Sequence, residues 1–111
     1  MNRAGQVFYN DILAGTVFED EDGYGFVYEP DYVLLPKALP VSLTLPLQVE
    51  PFCSVVLFAF FDGLIPEGWL LDIAVLNWKI NQRDRMGLLL TLCQDCIGAV
   101  SVKNIIINNE K

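Results

Sequence analysis

Five prolines, at positions 30, 36, 40, 46 and 51, divide this chain into two parts that follow different periodicities. Proline fixes its own φ and has no N–H to donate, so prolines every four to six residues rule out a helix through the segment. Between Pro40 and Pro46, the run Val41-Ser42-Leu43-Thr44-Leu45 alternates apolar and polar residues. It predicts a short strand with Val41, Leu43 and Leu45 on one face.

Before the proline segment the pattern is antiparallel β. Gln6 to Tyr9 predicts a strand, Asn10-Asp11 is turn chemistry, and Ile12 to Glu19 predicts a second strand with a bulge at Gly15. The acidic run from Glu19 to Asp22, closed by Gly23, reads as a hairpin tip. Tyr24 to Glu29 then places Tyr24, Phe26 and Tyr28 on one face of a third strand.

After the prolines the period becomes helical. Ser54 is suited to cap a helix over Val55 to Asp62 that Gly63 stops. Pro66 opens a second helix, Glu67 to Ile80, with Leu70, Ile73, Ala74, Asn77 and Trp78 at helical spacing. Asp84 caps a third, Arg85 to Leu92. Gly98 to Val102 returns to strand and adds to the first sheet. No repeat or dividing linker interrupts the chain. The expectation is one α+β domain over residues 1–111, a small antiparallel sheet packed against two or three helices, with the tail 104–111 partly disordered.

Composition narrows what such a domain does. Hydrophobic residues make up 53% and charged residues 19%, against about 45–50% and about 25% in average soluble domains. The richest apolar run, Cys53 to Phe61, is far short of the roughly 20 residues of a membrane span. Met1 to Gln6 leads into no apolar signal region. The surplus apolar surface therefore points to a protein partner. A net charge of −7 argues against direct nucleic-acid binding, which needs clustered Lys and Arg. Three cysteines, Cys53, Cys93 and Cys96, form no even framework, and with no signal they point to reduced thiols in the cytoplasm.

The residue types that carry catalysis are sparse. Histidine is absent, which removes the commonest general base and zinc ligand. Cys93-Gln94-Asp95-Cys96 has C-x-x-C spacing, but a zinc site needs a second ligand pair and a redox site needs a βαβ setting. Packing of Cys93 at a helix end is the favoured reading. The run Glu19 to Asp22 lacks EF-hand ligand spacing. No glycine-rich phosphate loop is present. Trp69 follows Pro66-Glu67-Gly68 at the corner where a helix begins. It reads either as a core aromatic packed on Phe60 or Phe61, or as a surface anchor of the kind enriched at interface hot spots.

Three stretches, in order, carry a resemblance. Pro40-Val41-Ser42-Leu43-Thr44-Leu45-Pro46-Leu47 is similar to a proline-bounded strand, Phe60-Phe61-Asp62-Gly63-Leu64-Ile65-Pro66-Glu67-Gly68 to a turn between helices, and Asp95-Cys96-Ile97-Gly98-Ala99-Val100 to the start of a strand, all in the N-terminal subdomain of HipA-family serine/threonine kinase toxins. The resemblance spans Pro40 to Val100, and the early hairpins suit the same subdomain. In that family the catalytic loop, metal-binding acidic residues and ATP-binding elements lie downstream, so no catalytic residue maps onto this sequence.

A free-standing copy resembles the small antitoxin subunit (HipS-like) of tripartite HipBST-type toxin–antitoxin systems. Met1 at the start and the polar tail favour a natural chain over an excised fragment. The resemblance implies a non-catalytic antitoxin with no cofactor and no metal. Its partners would be a HipA-like (HipT-type) kinase toxin lacking this subdomain and, in a ternary complex, a HipB-type helix-turn-helix DNA-binding protein. Direct nucleic-acid or membrane contact is not expected. The partner-binding element would be Asp62, Ile65, Pro66, Glu67, Gly68 and Trp69. The alternative role is a structural subunit that completes the kinase fold and its autoregulatory complex without inhibiting.

Overall fold

The structure is a computed structural model that describes residues 3–65, 72, 76, 81, 83–94 and 99–105. Its frame is a five-stranded antiparallel sheet in the order β4-β3-β2-β1-β5. The strands are β1 (Arg3–Tyr9), β2 (Ile12–Asp20), β3 (Gly23–Tyr28), β4 (Phe52–Ser54) and β5 (Val100–Ile105). Among the described residues, the bounded helices are α1 (Pro30–Val33), α2 (Ala59–Asp62) and α3 (Arg85–Leu92).

The first hairpin turns where the sequence predicts. Asn10 and Asp11 both sit at positive φ, 50° and 67°, the pair of left-handed residues that a two-residue turn needs to match strand twist. Val7 pairs with Gly15 and Phe8 with Leu13, so the register slips by one residue at the expected bulge. The extra residue, Ala14, is fully buried, and its carbonyl accepts from the Glu29 N–H at 2.8 Å. That bond turns the chain off β3 into α1. The late strand lies beside β1, with Val7 opposite Val102 and Tyr9 opposite Val100.

One face of the sheet builds the core. Val7, Val17, Phe26, Tyr28 and Val102 project from it as period-2 positions and are buried. Gly5 shares that face, and a Cβ there would lie 2.6 Å from Leu90. The missing side chain lets α3 lie close against β1. Met86, Leu89, Leu90 and Cys93 recur at i, i+3, i+4 and i+7 and are buried. Phe26 joins the two layers: its ring lies 4.8 Å from Tyr28, edge-on, and 5.4 Å from Phe61 of α2.

Three local expectations give way. Val41 to Leu45 is a turn closed by an isolated bridge between Ser42 and Leu45. The Ser42 Oγ accepts from the Thr44 N–H, the Leu45 N–H returns to the Ser42 carbonyl, and Leu43 stands at the tip, 96% exposed. Two prolines six positions apart leave no room for a strand with partners on both sides. The helix expected from Val55 is confined to Ala59–Asp62. Ser54 ends β4 instead, and its hydroxyl accepts from the Val56 N–H at 3.3 Å in a local turn. The proline segment also admits one helical turn, α1, because Pro30 occupies the first helical position, where an N–H has no partner to lose.

The third helix agrees with the sequence. Asp84 caps it by accepting from the Gly87 N–H at 3.2 Å, and Cys93 is buried at its end. The predicted helix Glu67 to Ile80, Trp78, Cys96 and the tail from 106 onward lie outside the described residues, except that Asp72 and Leu76 are helical and exposed.

Candidate partner-binding surface

The corner that the sequence singles out is fastened to α3 at both of its ends. Asp62, the last residue of α2, accepts from Arg85 Nε at 2.6 Å. A carboxylate at a helix C-terminus opposes the helix dipole, and the guanidinium offsets that. Two residues on, the Leu64 carbonyl accepts from Cys93 Sγ at 3.4 Å. Ile65 is buried, and its N–H donates to the Asp62 carbonyl at 3.2 Å. Asp62 and Ile65 therefore form the base of the corner, with Arg85 and Cys93 at opposite ends of one helix holding it. Pro66, Glu67, Gly68 and Trp69 lie outside the described residues.

A second feature, unforeseen in the sequence, is a charge network at the N-cap of α3. Arg3 donates from Nε and Nη2 to the two carboxylate oxygens of Glu19, at 2.7 and 2.9 Å, and from Nη1 and Nη2 to those of Asp84, both at 2.8 Å. The hydrogen bonds from Arg3 hold the Asp84 carboxyl below the usual carboxylate range, partly against its burial. They raise the Arg3 guanidinium in turn.

A third is the proline loop. Tyr28 Oη donates to the Leu45 carbonyl and accepts from the Val41 N–H at 3.0 Å, and Tyr32 Oη donates to the Leu39 carbonyl at 2.6 Å. Burial raises the pKa of both phenols. Two tyrosines, Tyr28 of β3 and Tyr32 of α1, thus fix the loop. They leave an open groove of about 440 Å³ between the β1–β2 turn and residues 35–39.

Among the described residues, no group of three His, Cys, Asp or Glu side chains is placed to hold a metal ion. No helix among them is long and apolar enough to cross a membrane. Among the described residues the arrangement offers ion pairs, an apolar groove and a chain corner tied to α3.

Comparison with known proteins agrees on one relationship. A model of the HipA N-terminal domain matches residues 5–103. The solved N-terminal domain of HipA toxin superimposes with a TM-score of 0.76 at 32% identity, over 97% of this chain and 97% of that one. A Haemophilus influenzae protein called only an uncharacterized protein is 37% identical over 101 residues, 91% of this chain and 92% of its own length. On the strength of a match that runs through all five strands and α3, the chain belongs to the HipA N-terminal domain family.

Proposed function

We propose that this protein is a non-catalytic antitoxin that binds and neutralises a HipA-type serine/threonine kinase toxin lacking its own N-terminal domain. The observation that carries the reading is the extent of the family match. A HipA N-terminal domain model matches residues 5–103, and the solved N-terminal domain of HipA toxin superimposes over 97% of both chains. The surplus apolar composition and the exposed Leu34, Leu35 and Leu39 support a protein partner.

The chain would refill the place its domain holds in longer relatives, on the N-lobe side of the kinase near the active-site cleft. Trp69, with Pro66, Glu67 and Gly68, would be the inhibitory element, presented from the fixed base of Asp62 and Ile65. A HipB-type helix-turn-helix protein would complete a ternary complex, and the protein would act in the cytoplasm. Co-expression tests the reading. Cells producing a HipA-type kinase core should stop growing, and producing this chain with it should restore growth. Continued arrest despite a stable complex would turn the reading to a structural subunit; arrest with no complex would end it.

A further inference from the structure

The groove between the β1–β2 turn and the proline loop is a preformed docking slot, and we infer that it receives an amphipathic helix of the kinase partner, apolar on one face and basic along one flank. This inference rests on the proposed antitoxin reading and names the surface by which the chain holds its target.

The groove is built from side chains that a monomer has no reason to leave in water. Tyr9, Ile12, Tyr32, Leu35 and Leu39 line it, and Ile12, Leu35 and Leu39 are 50%, 42% and 55% exposed. Leu34, next to Leu35 in the chain, is 78% exposed. Single exposed leucines are ordinary, but a contiguous set around a concave floor is not. The walls are fixed in advance. The Tyr32 hydroxyl holds the Leu39 carbonyl, the Ala38 N–H donates to the Leu35 carbonyl at 3.2 Å, and the Leu35 N–H donates to the Tyr32 carbonyl at 3.1 Å. Rigid walls lower the ordering cost that binding incurs.

Topology selects a helix over a strand. Both strands at the groove, β1 and β2, are already paired on each side, so no backbone edge is open there for an added strand. Only side chains can fill the slot, as the i, i+3, i+4 and i+7 positions of a helix do.

Charge selects the flank. A shallower depression continues the groove, sharing Ile12, Tyr32 and Leu35 with it, and Glu29 and Asp31 stand on its rim. No basic side chain among the described residues pairs with either. Lys37 lies on the wall beside Leu39. A second copy of this chain, itself at −7, would bring the same carboxylates against these. A basic flank on the incoming helix matches them.

The test measures binding of the full-length chain to a purified HipA-type kinase core, with thermal melting and sedimentation of each variant. The double substitution Ile12→Ser, Leu39→Ser should weaken binding about thirtyfold with an unchanged melting temperature. Glu29→Gln with Asp31→Asn should slow association and flatten its salt dependence. Val55→Ser with Val56→Ser, on the far edge of the sheet, serves as the matched control and should bind as wild type. Wild-type affinity in the groove variant would overturn the proposal. So would a large drop in its melting temperature, which would mean that the chain's own residues fill the slot, or a wild-type dimer that Leu39→Ser disperses. Failure of the wild-type chain to bind the kinase would instead remove the antitoxin reading and the slot with it.

Discussion

Arg3 and Asp84 stand 81 positions apart and meet in a fork of two hydrogen bonds, each 2.8 Å long. Through this contact the first residue of β1 reaches the N-cap of α3. Because Arg3 also grips Glu19 of β2, a single guanidinium ties two strands to the helix that covers them. Asp84 has two tasks there, since the oxygen that accepts from Arg3 Nη2 also accepts from Gly87 N–H.

Those tasks separate by substitution and by pH. Asp84→Asn keeps a good helix cap and removes the charge. It should cost about 1 kcal/mol at neutral pH, a modest figure because the network is partly exposed and screened. The Asp84 carboxyl is held below its ordinary value in the folded state, so its contribution is fully present above the unfolded pKa of about 4 and is lost as pH falls through the lower folded value. Denaturant titrations of wild type and variant should therefore differ at pH 7 and converge at strongly acidic pH. A gap that stays constant with pH would assign the loss to the cap alone.

Tyr28→Phe should cost about 1–3 kcal/mol, because it strands a buried N–H and a buried carbonyl at once. The loss should be local as well as global. Amide exchange at Val41 and Leu45 should accelerate more than at Val7 or Val17 in the sheet. Equal acceleration everywhere would show that the loop melts only with the whole domain.

Gly25→Ala should destabilise by roughly 1–3 kcal/mol. A Cβ there would sit 2.2 Å from the Phe18 ring, which lies across the bare glycine on the face of the sheet away from α3. Adding Phe18→Ala should restore part of the loss, so that the double variant is more stable than the sum of the two singles implies. Strict additivity would contradict the contact.

The contrast between Tyr24–Tyr28 and Val41–Leu45 shows how much of this fold was legible. Both segments place large apolar or aromatic residues at every second position. The first has partners on both sides and became the strand expected of it. The second became a turn because a hydroxyl 13 residues from Val41 and 17 from Leu45 satisfies both of those residues, and no local pattern announces such a bond. Val55 shows the same limit. Its spacing to Phe58 and Ala59 is helical, yet the edge of β3 recruits Phe52–Ser54 as a strand, which displaces the helix to its last turn. Asn10-Asp11, the Gly15 bulge and the Asp84 cap were legible because their chemistry is complete within a few residues. Of the candidate site, the corner at Asp62 to Ile65 was legible as a turn. Its ties to Arg85, 23 positions away, and to Cys93 were not. The groove was invisible because its walls come from the first hairpin and the proline loop, which only the fold brings together.

Trp69→Ala separates two roles for that indole. Truncating a binding anchor costs about 2 kcal/mol or more in affinity, and truncating a core tryptophan costs about 3–5 kcal/mol of stability. The proposed function expects an unchanged melting temperature and at least a thirtyfold loss of kinase affinity. A melting temperature lowered by many degrees with affinity retained by the folded fraction would make Trp69 a core residue. The inhibitory contact would then be elsewhere on the corner.

The most direct measurement is the phosphoryl-transfer rate of a purified HipA-type kinase core, followed while this protein is titrated in. The chain alone should transfer no label from ATP. Added to the kinase, it should lower the rate along a saturable curve that levels off near zero activity, and the complex should co-elute. A kinase that binds the chain at saturation and keeps its full rate would contradict the account.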